Sequence, residues 1–429
     1  TINRVSAGSG SGGAGRGDPP TVPGSRSTAP RGILSPMRVA LVSEWLDAWR
    51  GGAETSTLQF MHRLMDAGIE VHVFTRSRPS PAPGLNVCSI PGASMSRTRQ
   101  SATFAHRVQR RLSAGQFDVV HAISPCRFAD IYQPRGGTVA ETVERNVALR
   151  NPGPARSFKR LANHLNLKQR YLLRLERQLF GSADGPTVVA ISDYVARQLS
   201  LHYSLPGERI RRIYNGVEAD PTPPAERADQ RQALRREFGV ADGDLLVLTV
   251  AHNFRLKGVQ RWMEALQFLR GRKAHDVRAL VVGRGDSPQW HRKAQRMGIT
   301  DVLTFVGPSD RVRSFYHAAD CLMHPTYYDP CSRVVLEAMV AGLPCVTTRW
   351  DGAAEMIVDD VSGLIVDDPD DVVALAAGIE KLRDPRIRRA MGAAAARIAD
   401  QVSMKRHAHA MIEVYEEIAA RRRQGLRSA

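Results

Sequence analysis

Residues 38 to 43 read Arg-Val-Ala-Leu-Val-Ser, a short apolar run between polar residues, which predicts a buried strand. A loop carrying Trp and Gly follows, then a helical pattern from Ala53 to Met65 closed by Gly68, then a second apolar run from Ile69 to Thr75. Strand, helix and strand joined by short links predict a parallel sheet with helices on both faces. Further strands are expected at 118–123 and 187–191, the latter followed by Ser192 or Asp193 as the N-cap of a helix over 194–201. Ile213-Tyr214-Asn215-Gly216-Val217 and a Pro-rich polar stretch, Asp220 to Asp229, read as turn and linker. A second cycle then begins, with strands expected at 244–250, 277–282, 302–306, 321–325 and 345–348 and helices at 259–269, 311–319 and 332–341, the last stopped by Gly342 and Pro344. The expected fold class is α/β, with two doubly wound Rossmann-like domains facing a cleft. Ligands of such sheets sit at the carboxyl ends of the strands.

Length agrees, since 429 residues at roughly 150 per domain make two to three domains. Hydrophobic residues at 43% and charged ones at 24% are ordinary for a globular chain, and no apolar run approaches the roughly 20 residues that cross a bilayer. The 60 Lys and Arg against 43 Asp and Glu leave +17, which predicts attraction to nucleic acid, lipid headgroups or phosphorylated substrates without choosing among them. The five cysteines, Cys88, Cys126, Cys321, Cys331 and Cys345, are scattered, so neither a disulfide framework nor a zinc site is suggested and a reducing cytosol is expected. Residues 1–36, rich in Gly, Ser and Pro, lack the apolar stretch of a secretory signal and are expected to be disordered, with Met37 as the start of the folded part.

The candidate chemistry lies in the loops. Gly51-Gly52 opens the first helix, where backbone N–H groups can approach a phosphate; a tight turn is the plain alternative. Arg255 and Lys257 follow a strand end and can meet a diphosphate together, while Gly283-Arg284-Gly285 ends another strand and also reads as a simple turn. The most informative stretch runs from His324 to Met339. It places Asp329 and Glu337 eight residues apart across a strand-to-helix turn, with the N–H groups near Cys331, Ser332, Arg333 and Val334 facing a phosphate or sugar. Glu337 lies about 7 to 8 Å along that helix, an offset that suits the ribose of a sugar nucleotide.

The ordered set of Gly-Gly-x-Glu, Asn-Gly-Val, Arg-x-Lys-Gly, Gly-x-Gly, acid-x7-Glu-Ala-Met and Gly-x-Pro resembles the retaining family 4 glycosyltransferases of GT-B fold over residues 37 to 425. Tyr-Asp-Pro-Cys-Ser and Gln-Pro-Arg-Gly-Gly-Thr resemble the lipopolysaccharide-core glucosyltransferase branch. The resemblance implies an N-terminal acceptor-side domain over 37–215, a linker over 216–242, a nucleotide-sugar domain over 243–402, and a helix over 403–429 crossing back to the N-terminal domain. It implies that Glu337 holds the ribose, Arg255 and Lys257 the diphosphate, and the backbone from Cys331 to Val334 phosphate and sugar, with Gly51, Gly52 and Gly283 also on the donor. Asp329 then binds donor hexose hydroxyls, in the place of the Glu that most members have. Many members carry a catalytic His after the strand matching 118–123; this chain has His121 earlier and Ile123 at the matching place. Arg135, Gly136 and Gly137 are acceptor-side candidates.

The implied reaction is front-face transfer with retention of a hexose, glucose, from UDP-glucose to a saccharide hydroxyl on a lipid-linked or lipopolysaccharide-type acceptor. Arg255, Lys257 and helix N–H groups stabilise the leaving diphosphate, so no metal or cofactor is required. The acidic run from Asp367 to Asp371 reads as helix capping. A nucleotide-sugar epimerase of the same architecture and a non-catalytic binder of nucleic acid or anionic surface remain the alternatives, although 6% aromatic content and no recognisable motif disfavour nucleic acid as a partner. Across 156–180, Phe158, Leu161, Leu165, Leu172, Leu175 and Leu179 share one helical arc opposite six cations. That face either packs in the core or lies on an anionic membrane, and the second reading makes the protein a cytoplasmic enzyme peripheral on the inner face of the cytoplasmic membrane.

Overall fold

The structure, a computed structural model, describes residues 36–427 except 48–50, 80–83, 92–96, 113–115, 151–152, 183–184 and 286. The expected disorder of 1–36 therefore falls, but for Pro36, outside the described residues. The first half runs β1 (Arg38–Val42), α1 (Gly52–Asp66), β2 (Glu70–Thr75), β3 (Leu85–Ser89), α2 (Arg97–Arg111), β4 (Val119–Ala122), β5 (Ile131–Tyr132), α3 (Val139–Ala148), α4 (Pro154–Leu165), α5 (Leu167–Gly181), β6 (Thr187–Ala190), α6 (Asp193–Tyr203) and β7 (Ile210–Arg212). After α7 (Pro224–Glu237) the second half runs β8 (Leu245–Val250), α8 (Val259–Gly271), β9 (Val277–Val282), α9 (Pro288–Met297), β10 (Leu303–Gly307), α10 (Val312–Ala318), β11 (Cys321–His324), α11 (Arg333–Val340), β12 (Cys345–Thr348), β13 (Gly363–Val366), α12 (Val372–Leu382) and α13 (Pro385–Ala395), then α14 (Met404–Arg427).

The strands form two all-parallel sheets, of seven strands in the order β3-β2-β1-β4-β5-β6-β7 and of six in the order β10-β9-β8-β11-β12-β13. Both are doubly wound, and both change direction next to their first strand, between β1 and β4 and between β8 and β11. Those are the crevices where ligands of such sheets bind. Parallel strands are covered on both faces, which explains apolar runs such as Leu245-Leu246-Val247-Leu248, all buried. The last helix, α14, returns to the first half and packs on α1 and β4, burying Met411 and Tyr415.

Two expectations are corrected. The polar stretch taken as linker contains α7: Pro224 stands at its first turn, where a missing N–H costs nothing, so Pro marks a helix start there. The single helix expected over 156–180 is two, because Asn166 leaves helical geometry and caps α5 by accepting from Gln169 N. Its supposed apolar arc divides. Leu175 and Leu179 on α5 are buried, whereas Phe158, Leu161 and Leu165 on α4 are 72%, 58% and 70% exposed.

Candidate functional site

The β8 and β11 strand ends build one pocket wall together. After β8, Asn253 accepts from Leu256 N and turns the chain so that Leu256 O accepts from Tyr327 N in the loop after β11. The loops touch so closely that a Cβ on Gly258, at φ +69°, would lie 1.9 Å from Pro325 O. Gly283, at φ +136°, passes Ala251 in the same way, where a Cβ would lie 1.8 Å from Ala251 O. This glycine requirement is backbone packing at the strand end. Lys257 is thereby aimed at Asp329, donating to Oδ2 at 2.5 Å and to Tyr328 O at 3.3 Å. Arg255 beside it is exposed and forms no side-chain hydrogen bond or ion pair among the described residues.

Burial would raise the Asp329 carboxyl, but Lys257 and His324, whose Nε2 is 3.5 Å away, hold it below the ordinary carboxylate range. Asp351, 1% exposed, accepts from Ser332 N at 3.0 Å and Ala353 N at 2.9 Å, and lies 3.0 Å from Thr347 Oγ1. Its burial and the charge on Asp329 push it upward. Thr347 Oγ1 stands between two acceptors, Asp351 Oδ2 and His324 O, at 3.0 Å from each.

Ser332 caps α11 by accepting from Val335 N at 3.4 Å. Ser332 N and Cys331 N are already taken, by Asp351 and Asp329, so the open donors of that helix end are the N–H groups of Arg333 and Val334. One turn on, Glu337 accepts from Arg333 Nη2 at 2.8 Å and Tyr316 OH at 3.0 Å. Arg333 also reaches the first half, donating to Gly52 O at 3.1 Å and Gln59 Oε1 at 2.9 Å. There α1 begins at Gly51 without a side-chain cap, and a Cβ on Gly51 would lie 3.5 Å from His252 Cδ2. The structure thus gathers Gly51, Gly52, Lys257, Asp329, Ser332, Arg333, Val334 and Glu337 about one crevice, with Arg255 exposed on the loop beside Lys257.

The acceptor-side candidates divide. Gly137, at φ +75°, lies against Tyr328, where a Cβ would be 1.7 Å from the hydroxyl, while Gly136 has open space around it. Arg135 is 6% exposed, and its guanidinium is spent on Gln133, Ser56, Thr57 and His407, so it is an interior group. His121 is fully buried on β4, with Nδ1 2.7 Å from Tyr415 OH and its ring edge-on to Phe60. Burial and Arg135 keep it neutral, so it has the placement of a core histidine. Among the described residues the one cluster with metal-ligand spacing is Glu141, Glu144 and His202, where Glu141 is already bonded to Arg145 and Tyr194. Asp371 caps α12, accepting from Ala374 N at 2.9 Å.

His324, Asp351 and Asn215 were not singled out for this site from the sequence, and Ser192 was expected only as the helix N-cap that it is. Asp351 follows a strand end and was open to the carboxyl-end rule; Asn215 was visible only as part of an Asn-Gly turn.

A family model described as glycosyl transferases group 1 matches residues 230–398, and one described as glycosyltransferase family 4 matches residues 50–221. Lipopolysaccharide glucosyltransferase WaaG of Escherichia coli is 25% identical over 320 residues, 74% of this chain and 82% of its own. A D-inositol 3-phosphate glycosyltransferase of Kribbella flavida is 28% identical over 387 residues, 80% of this chain and 85% of its own. The crystal structure of WaaG, a glycosyltransferase involved in lipopolysaccharide biosynthesis, matches with a TM-score of 0.76 at 23% identity over 88% of this chain and 99% of that one. Anabaena HepE in complex with UDP-glucose matches with a TM-score of 0.67 at 17% identity over 89% and 100%. These likenesses establish the GT-B fold.

Proposed function

We propose that the chain, whose residues 230–398 match the glycosyl transferases group 1 model and residues 50–221 the glycosyltransferase family 4 model, is a glycosyltransferase that transfers glucose with retention from UDP-glucose to a saccharide hydroxyl on a lipid-linked or lipopolysaccharide-type acceptor. One observation carries this reading: Lys257, Asp329, the open first turn of α11 and Glu337 converge from two strand ends on the crevice that the α1 terminus faces. In it Glu337 holds the ribose diol, and Arg255, Lys257 and the Arg333 and Val334 N–H groups hold the diphosphate. Asp329 takes hydroxyls of the hexose. As the bond from the anomeric carbon to the phosphate oxygen breaks, these cations and N–H groups meet the charge left on UDP. The acceptor oxygen bonds the same face of that carbon, and its proton passes to the departing phosphate. The step uses neither metal nor cofactor.

The relatives named for glucosyl and glycosyl transfer support the reaction class, and the UDP-glucose complex of a protein of this fold supports the donor. Among the described residues no helix is long and apolar enough to cross a membrane. The membrane-facing part of the proposal therefore rests on α4, whose exposed Phe158, Leu161 and Leu165 run beside Lys159 and Arg160, as on a helix lying in an anionic surface. On this reading the enzyme is cytoplasmic and peripheral on the inner face of the cytoplasmic membrane.

A thermal-shift panel of UDP, GDP, ADP, UDP-glucose and a single-stranded oligonucleotide tests it, since a ligand at about 100 times its Kd stabilises by about 2.7 kcal/mol. The expected result is stabilisation by the uridine nucleotides, lost in folded Glu337→Ala. Stabilisation by the oligonucleotide alone, erased by salt, overturns it in favour of a non-catalytic anion binder.

A further inference from the structure

Between β11 and α11 run two consecutive peptide planes, Pro330–Cys331 and Cys331–Ser332, and each is held at both edges. The first donates its N–H to Asp329 Oδ1 at 3.3 Å, while its oxygen on Pro330 accepts from Ser192 Oγ at 2.6 Å. The second donates its N–H to Asp351 Oδ1 at 3.0 Å, while its oxygen on Cys331 accepts from Asn215 Nδ2 at 2.9 Å. Both acids belong to the second half of the molecule. Both outer donors belong to the first, Ser192 capping α6 and Asn215 following β7.

A trans peptide is rigid, with its oxygen and its N–H on opposite edges, so rotating either plane off its outer donor also turns its N–H away from an aspartate. The groups are shielded from water, Ser192 being 0% and Asn215 7% exposed, so neither broken bond is replaced by solvent at no cost. Other contacts press the same surfaces together. A Cβ on Gly352 would lie 2.0 Å from Pro330 O and 2.6 Å from Ser192 Oγ, and Glu355 accepts from Asp193 N at 2.7 Å and Tyr194 N at 2.6 Å at the start of α6.

We infer that Ser192 and Asn215 are positioning residues for the donor hexose: through these two peptide planes the first half of the molecule holds the 329–332 segment and with it the Asp329 carboxylate. The hexose end of the donor site is complete only with the first half seated on this loop, whereas Glu337 and Arg255, at the nucleotide end, are second-half residues that neither plane touches. The inference rests on Asp329 as a hexose ligand under the proposed function.

Calorimetric titration of the full chain with UDP and with UDP-glucose tests it in four proteins: unsubstituted, Asn215→Ala, Asp329→Ala and the double variant. Asn215→Ala is expected to weaken UDP-glucose about tenfold, on the scale of a misplaced contact, and to leave UDP within about twofold. With Asp329 already replaced, adding Asn215→Ala is expected to change UDP-glucose binding by less than about twofold, because coupled residues are non-additive. Ser192→Ala should follow the same pattern, although it also removes the α6 cap formed with Val195 N; Asn215→Ala keeps the test open if Ser192→Ala fails to fold. Equal weakening of UDP and UDP-glucose, or full additivity with Asp329→Ala, overturns the inference and leaves the proposed function standing. Failure of the unsubstituted protein to bind either ligand removes both.

Discussion

Arg135 carries its charge into the interior with no carboxylate among its hydrogen-bond partners, and burial together with the like charge of Arg333 lowers it to about 9. Arg135-Gly136-Gly137 is an acceptor-side candidate by sequence, and Gln133, Ser56 and Thr57 of the first half together with His407 of α14, arriving from the far end of the chain, make Arg135 internal. Glu176 is the converse, a buried acid whose hydrogen-bond partners among the described residues are two tyrosines and a backbone N–H. Tyr132 OH and Val139 N donate to it at 3.0 Å and 2.9 Å, and Tyr203 OH donates as well, yet burial outweighs these bonds and pushes the carboxyl up to about 7. Below about pH 4.5 Glu176 is neutral in both folded and unfolded chains. Between about pH 4.5 and 7 the unfolded chain gives up the proton first, so the stability that Glu176 contributes is present in acid and lost as pH rises, on the order of 3 kcal/mol in all. Urea midpoints at about pH 5 and pH 8 should therefore differ less in Glu176→Gln than in the parent. An unchanged difference would mean that Glu176 is ionised throughout.

At the scale of elements, hydrophobic period alone could not separate α4 from α5, because their apolar residues share one arc if the helix is drawn unbroken. The break comes from Asn166, which ends α4 and caps α5, and past it the two stripes meet different surroundings. Leu175 on α5 packs in the core, and Leu175→Ala is expected to cost 2 to 5 kcal/mol, on the usual scale for an emptied core site of about that size. Phe158 and Leu161 on α4 lose little apolar contact when replaced, so a Phe158→Ser, Leu161→Ser protein should keep its melting temperature and lose sedimentation with anionic vesicles. Vesicle binding that survives this change would assign the surface attraction to net charge. The loops at the site were more legible than these helices. Their chemistry is local: glycines at Gly258 and Gly283, cations at Arg255 and Lys257, and acids at Asp329 and Glu337 stand next to the strand ends that the apolar runs mark. What stayed hidden was contact across the chain. Nothing near Ser192 or Asn215 in sequence says that each faces a carbonyl of the loop after β11, because such a partner is set by how two sheets meet.

For the whole molecule, the chain passes between its halves twice, and the two passages lie side by side. Val217 N donates to Val402 O at 2.8 Å and Met404 N to Val217 O at 2.9 Å, and a Cβ on Gly216 would come within 2.7 Å of Met404 Cα. Beyond this crossing α14 completes the first half: Met411 and Tyr415 are fully buried with Phe60 and Leu41, and His407 Nδ1 lies 2.7 Å from Tyr214 O. A cut after the first sheet therefore leaves its core open on the face that α14 covers, with His121 and Arg135 stripped of Tyr415 and His407. The fragment 36–215 is expected to aggregate or remain protease-sensitive alone, and a peptide of residues 403–427 added in trans should restore protection, since burying a Met, a Tyr and their neighbours is worth several kcal/mol. Limited proteolysis with and without the peptide reads this directly. Protection of 36–215 without the peptide would show that the first sheet closes its own core, and that α14 serves to tie the halves together at the Val217 crossing instead of building one of them.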